Sequence, residues 1–167
     1  MANQVEFLDF SFKVKDAMEE AVIAGLYEAA GELEAKAKRN SRQGHRYGDI
    51  LATSLWKYRV DEDKKEAVIG SPHEAGYWEE FGTGEYALHG DGRQGWWVYV
   101  EGQDSGTGGR TYSTKEEAEA IAASMRADGL PAHATNGIEP NRPLHRAFQA
   151  GESIVQAIIE SKLKGME

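Results

Sequence analysis

One apolar stripe dominates the first quarter of the chain. Met18, Val22, Leu26, Ala29, Leu33 and Ala37 recur every three or four positions, the spacing that places side chains on one side of an α-helix. Glu20, Glu28, Glu32 and Lys36 fall on the remaining surface. This predicts a helix over residues 16–39, and the rest of the chain must supply the layer that covers it. Asp16 followed by Glu19 reads as a capping box at its start. Immediately before, Leu8, Phe10, Phe12 and Val14 alternate with Asp9, Ser11 and Lys13, the pattern of a half-buried strand.

Two stretches downstream are suited to cover that stripe. After a short turn and helical segment over Tyr47–Leu55, Trp56–Val60 and Ala67–Ser71 read as strands joined by a charged turn, Asp61–Glu66, and form an antiparallel pair. Near the end of the chain, Leu144, Phe148, Val155, Ile159 and Leu163 mark the apolar side of a helix that runs to about Lys164. Asn141 is placed to cap it, with Pro143 in its first turn. Gly151 is expected to loosen its middle.

Between these parts lies a loop-rich middle, with eleven of the nineteen glycines falling between Gly70 and Gly109. Trp96, Val98 and Val100 alternate with Trp97, Tyr99 and Glu101, giving a strand with aromatic residues on both faces. Gly102–Gly109 reads as a hairpin loop and lacks the spacing of a phosphate-binding P-loop. Arg110–Ser113 returns as a strand. Thr114 and Glu117 form a second capping box before the helical register of Ala118, Ile121, Ala122 and Met125. Gly129 then sits where a helix ends, with Pro131 just beyond. Leu130–Thr135 reads as a further strand, closed by the Asn136–Gly137 turn. The expected class is α+β: an antiparallel sheet packed against a long N-terminal helix and a C-terminal helix. Residues 1–85 and 137–167 make the main domain, and 86–136 a small inserted ββαβ module.

Composition narrows the chemistry. At 167 residues the chain suits one compact domain with a small insertion, large enough to bury a core without covalent staples. With no cysteine there is no disulfide framework and no thiolate metal site. A net charge of −9 argues against a general nucleic-acid binder, although local patches override the sum. No apolar run approaches the length of a membrane span and no signal-peptide pattern opens the chain, so a soluble, cytosolically made protein without membrane contact is expected. His45, His73, His89, His133 and His145 are scattered singly, and no hydrolase, metalloprotease or calcium-loop motif is present. His73, Glu74 and Glu79 can be assembled on paper into a metal set, but an acidic chain offers such sets by chance. No catalytic residue, metal or cofactor is expected, and the chain does not read as an enzyme.

The densest group of large side chains is Ala75–Gly84. Tyr77, Trp78 and Phe81 fall on one side of a helical turn, and Gly82 and Gly84 allow another chain segment to approach closely. Thr83 has no base beside it, and the adjacent Glu79 and Glu80 point about 100° apart on a helix, a poor acid/base couple. Trp and Tyr favour interfaces, where one end is apolar and the other wet. Tyr77, Trp78, Phe81, Gly82, Thr83 and Gly84, with Trp96 and Trp97, are therefore candidates for a subunit or partner interface, weighed against simple core packing. A second feature is basic. Lys36, Lys38, Arg39, Arg42 and Arg46 occur in eleven residues without an acid. They complement a helix C-terminus and a solvated face, or contact DNA phosphates or an acidic neighbour.

Three segments together resemble a known family. Tyr47-Gly48-Asp49-Ile50-Leu51-Ala52-Thr53-Ser54-Leu55, Tyr77-Trp78-Glu79-Glu80-Phe81-Gly82-Thr83-Gly84 and Arg142-Pro143-Leu144-His145-Arg146-Ala147-Phe148 occur in an order and spacing similar to the tail-completion, or head–tail joining, proteins of tailed double-stranded-DNA bacteriophages. Glu80-Phe81-Gly82-Thr83 is the most specific piece. Tyr47 replaces the family's Thr before Gly48, no Phe follows Pro143, and the 86–136 insertion is larger than the family pattern. The resemblance implies a structural virion protein of the neck or tail, made in the bacterial host cytoplasm. It implies a homo-oligomeric ring around the DNA channel, bound to the head connector and to the tail tube or tail terminator, with non-specific DNA contact in the channel. A tail-terminator or minor tail component, from phage or prophage, is the neighbouring expectation. A small nucleic-acid-binding module using the 36–46 basic arm is the alternative from another class.

Overall fold

The layer that covers the N-terminal stripe is the last helix. In the computed structural model, which describes residues 11–41, 56–101 and 109–165, helix α1 spans Ser11–Asn40. It is followed by β1 (Lys57–Asp61), β2 (Glu66–Gly70), a short helix α2 (Glu74–Phe81) and β3 (Thr83–Gly84). The chain continues through β4 (Trp96–Val100), β5 (Thr111–Tyr112), α3 (Lys115–Ala127), β6 (Ala132–Thr135), β7 (Gly137–Ile138) and α4 (Pro143–Lys164). The class is α+β, as expected, with the described strands distributed over three small antiparallel sheets.

Helices α1 and α4 lie antiparallel with reciprocal notches. Gly25 of α1 faces Ile159, and a Cβ there would fall 2.6 Å from Ile159 Cδ1. Gly151 of α4 in turn faces Leu33. Each glycine lets the other helix's branched side chain seat against backbone, so Gly151 is a packing notch rather than a loosened point. Further along, Ala37 and Ala147 are fully buried around Trp56, with Leu144 against them. Trp56 is 2% exposed, and its indole Nε1 donates to Ser41 Oγ at 3.0 Å. The hairpin β1–β2 covers another flank of α1, where the Tyr58 ring meets Tyr27 edge-on at 6.5 Å. Tyr27 donates its hydroxyl to Glu62 Oε1 at 2.9 Å. That hydrogen bond, with smaller contributions from desolvation and from the Glu62 charge, raises the phenol's pKa above its ordinary 10.0.

The second apolar cluster belongs to β4, β6 and α3. Strand β4 lies between β5 and β6, and Val100, Ala122 and Ala132 are buried together with Val98, Met125 and Ala134 against them. Local signals fix its helix. Thr114 Oγ1 accepts the Glu117 amide at 3.3 Å, while Glu117 Oε2 accepts the Ser113 amide at 3.2 Å. Gly129 follows the helix end at φ +86°, the left-handed geometry that glycine adopts without penalty. The chain enters and leaves this region through one short ladder, Thr83 opposite Ile138 and Gly84 opposite Gly137.

Three local expectations are corrected. Phe12 and Val14 are helical and exposed, so the alternation at Leu8–Val14 does not make a strand there; Leu8 and Phe10 lie outside the described residues. The helix of 16–39 extends upstream to Ser11, which leaves Asp16 and Glu19 inside it instead of capping it. Asn141 does not cap α4. Its Nδ2 donates to Asn40 O at 3.0 Å, and Arg142, in the left-handed conformation, precedes Pro143 without a side-chain cap of its own. The 47–55 segment and the 102–108 loop also lie outside the described residues.

Candidate functional site

Helix α2 is built so that its acidic and aromatic residues do different work. His73 accepts the Ala75 amide through Nδ1 at 3.1 Å and thereby caps the helix. Ala75 and Gly76 are buried, with Trp56 close beneath Gly76. Glu79 is 1% exposed and Glu80 8% exposed, so both carboxylates point inward. Glu80 reaches the start of α4: Oε2 accepts the Leu144 amide at 2.8 Å and Oε1 the His145 amide at 3.0 Å. These are helix-start amides that have no partner inside the helix, and a carboxylate there also complements the positive end of the helix dipole. The Glu79 carbonyl accepts the Asn141 amide at 2.8 Å and the Arg142 amide at 3.1 Å. The side of α2 that carries the acids thus locks the last helix in place.

Its aromatic residues line an open cleft of about 290 Å³. Tyr77, Trp78 and Phe81 form one wall, Gly82–Gly84 the floor, and Ala87, His89, Asp91, Gly92 and Arg93 with Trp97 the other side. The Tyr77 and Phe81 rings are 4.8 Å apart and tilted, and Phe81 meets the His89 ring at 5.0 Å. Tyr77 remains 51% exposed. Arg93 lies over the Trp97 ring at 5.0 Å and also donates to Thr111 Oγ1 and Gly109 O. A guanidinium over an indole ring is a contact of roughly 0.5–1 kcal/mol at such a surface. Asp91 contributes the cleft's one carboxylate among the residues that line it.

The floor requires glycine. Gly82 has φ +73°, and a Cβ there would lie 2.8 Å from Tyr86 O and 2.9 Å from Ile138 O. Gly84, at φ +62°, is pressed against Asn136 and Gly137. Thr83 Oγ1 accepts the Ile138 amide at 3.0 Å, so this hydroxyl closes a ladder. The loop beyond is tied by Glu85, whose Oε1 accepts the Gly95 amide at 3.1 Å and whose Oε2 accepts Asn136 Nδ2 at 2.9 Å.

The candidate residues fall into groups. Tyr77, Trp78, Phe81, Gly82, Thr83, Gly84 and Trp97 surround this cleft, whereas Trp96 does not line it and lies beneath Lys115, 5.8 Å from the ammonium. Of the basic run, Lys38 is paired with Glu34, Lys36 is half-buried, Arg39 is exposed, and Arg42 and Arg46 lie outside the described residues. His73, Glu74 and Glu79 do not converge: among the described residues no three His, Asp or Glu side chains form a metal-ligand set. Sequence reasoning missed Glu80 as the cap of α4, and it missed His89, Asp91 and Arg93 as the far wall. The first has no local signal, because Asn141 offers a cap in the sequence and only the structure places Arg142 at the helix start without a side-chain cap, which leaves Leu144 and His145 to an acceptor from elsewhere. Among the described residues no helix is long and apolar enough to cross a membrane. Comparison with family models, characterised proteins and solved structures finds no match, so the geometry and the motif resemblance carry the functional reading.

Proposed function

We propose that the chain is a structural protein of the neck of a tailed double-stranded-DNA bacteriophage, one subunit of a ring around the DNA channel that joins or completes the tail. One observation carries the reading. Two segments of the family resemblance, 77–84 and 142–148, meet through Glu80 and the Leu144 and His145 amides, although they are 64 and 65 positions apart. The aromatics of the first segment stand on an open cleft beside that joint. A stretch that anchors the fold with its acids and leaves Tyr77 half exposed is suited to docking another protein, since Tyr and Trp supply large contact area at low entropic cost. The neighbouring subunit, the head connector and the tail tube or terminator are the partners this reading assigns to the cleft. In a chain of net charge −9, a mostly acidic channel lining would let DNA pass without sticking.

The test is the location of the chain in particles. Tailed particles purified from the bacterium that makes it, probed with an antibody against the chain and gold-labelled, are expected to carry label where head meets tail. Particles without the chain, or label confined to another part, would contradict the reading. The tail-terminator alternative predicts label at the same junction in heads-free tails.

A further inference from the structure

Of the four asparagines in the chain, one, Asn136, is followed by glycine. An asparagine loses its side-chain amide most readily before glycine, which has no side chain to shield its backbone nitrogen and lets the chain bend toward the asparagine. The fold puts this pair where such an attack is open. Asn136 occupies the bend between β6 and β7, outside any helix, and is half-buried. The Gly137 amide, which would make the attack, donates to a side-chain hydroxyl, Thr135 Oγ1, at 3.0 Å. A rotation of Thr135 releases it.

The amide at risk holds a wall of the aromatic cleft. Asn136 Nδ2 donates to Glu85 Oε2 at 2.9 Å and lies 3.4 Å from the Tyr86 hydroxyl, while Asn136 O accepts the Glu85 amide at 2.9 Å. The other oxygen of Glu85, Oε1, accepts the Gly95 amide at 3.1 Å. Asn136 and Glu85 thus tie together both ends of residues 85–95, the loop that brings His89, Asp91 and Arg93 to the cleft. The bond between the two side chains works in one direction. The amide donates and the carboxylate accepts, so an ionised acid at position 136 has no proton to offer and sets a second negative charge against Glu85.

We propose that Asn136 is a site of spontaneous deamidation, and that its conversion to aspartate or isoaspartate unlocks the far wall of the aromatic cleft. The Gly137 nitrogen bonds to Asn136 Cγ, the Cγ–Nδ2 bond breaks, and the nitrogen leaves as ammonia with the proton that the Gly137 amide gives up. Water then opens the resulting five-membered succinimide. Opening at the side-chain carbonyl gives aspartate. Opening at the backbone carbonyl gives isoaspartate, which also lengthens the main chain beside the Thr83–Ile138 and Gly84–Gly137 pairs. Leu88 still donates to Phe81 O at 2.9 Å, and Arg93 is still held at Thr111, so the loop loosens at its tied ends without unfolding. The proposal concerns the shape of the cleft and stands apart from the neck reading.

The experiment ages the purified chain in mildly alkaline buffer and follows it by peptide mass mapping and an isoaspartate-specific methyl-transfer assay. Conversion is expected at Asn136, mainly to isoaspartate, while Asn40 in α1 and the buried Asn141 stay intact. In the aged chain and in Asn136→Asp, amide hydrogens of residues 85–95 are expected to exchange roughly tenfold faster or more, the loss of a hydrogen bond to a charged group, with α1 and α4 unchanged. Adding Glu85→Gln to Asn136→Asp is expected to restore protection: the glutamine amide donates to the new acid while its carbonyl keeps accepting the Gly95 amide. Circular dichroism checks that each variant is folded. An Asn136 that stays intact while a free peptide of residues 132–140 converts completely overturns the site. Unchanged exchange in Asn136→Asp, or a double variant no better protected than the single one, overturns the effect on the cleft. Neither result bears on whether the chain is found in particles.

Discussion

Removing the carboxylate of Glu80 tests the joint on which the fold and the functional reading both depend. The carboxylate is 8% exposed and accepts two helix-start amides, Leu144 at 2.8 Å and His145 at 3.0 Å. Hydrogen bonds to a charged group are each worth about 1.5–3 kcal/mol net. In Glu80→Ala both amides lose their acceptor, and Arg142 offers no side-chain cap in its place. Leu144 and His145 are only half buried, so water replaces part of the loss; a destabilisation of about 3 kcal/mol results, at the lower end of two such bonds. For a chain of this size that corresponds to a Tm lower by about 6–12 °C. Glu80→Gln keeps one carbonyl oxygen and should lose about half as much. Urea denaturation with matched m-values is the assay. A Glu80→Ala variant within about 0.5 kcal/mol of wild type, the usual span of surface substitutions, would refute the view that this side chain holds α4 to α2.

Three further outcomes follow from particular residues. Gly82→Ala should cost about 1–3 kcal/mol by backbone strain at φ +73°, with more from the contact with Tyr86 O and Ile138 O, and is read by the same denaturation assay. Thr114→Ala, by removing the acceptor of the Glu117 amide, should cost about 1 kcal/mol, and hydrogen exchange should place the loss in the first turn of α3. Tyr27 should ionise above pH 10.0 in an ultraviolet titration, and Glu62→Gln should bring it down. Because its folded pKa is raised above the unfolded value, the Tyr27–Glu62 contact stabilises below about pH 10 and is lost as pH rises through the folded pKa.

What the chain reveals in one dimension is what depends on near neighbours. The β4–β6 region is legible almost residue by residue, since Thr114, Glu117 and Gly129 signal the ends of α3 locally and Trp96–Val100 alternates as a strand should. The body and the end of α1 are legible from its stripe, but its start is not. Leu8–Val14 alternates like a strand, yet with Phe12 and Val14 the helix simply propagates upstream from a nucleus already formed, and adding a turn costs little. The aromatic wall of the cleft is legible as a group because its members are adjacent in sequence. Its far wall, His89 to Arg93, is not, because those residues arrive through a loop tied by Glu85 to Gly95 and Asn136. The cap from Glu80 is missed and Gly151 is misread for one reason: a cap supplied across 64 positions and a notch cut for Leu33 exist only when two distant segments are packed together.

The central claim is that Tyr77–Gly84 both anchors the fold and presents the surface by which the chain joins an assembly. The most direct measurement is the binding of neck and tail complexes, purified from particles depleted of the chain, by wild-type protein and by Tyr77→Asp, at a temperature where circular dichroism shows both folded. Tyr77 is 51% exposed and packs on Phe81 at 4.8 Å, so the substitution should cost about 0.5–1.5 kcal/mol of stability, too little to unfold the chain. The account predicts that wild-type protein binds and that Tyr77→Asp binds at least tenfold more weakly, the loss of roughly 1.4 kcal/mol or more at an aromatic anchor. Equal binding by the two proteins would contradict it.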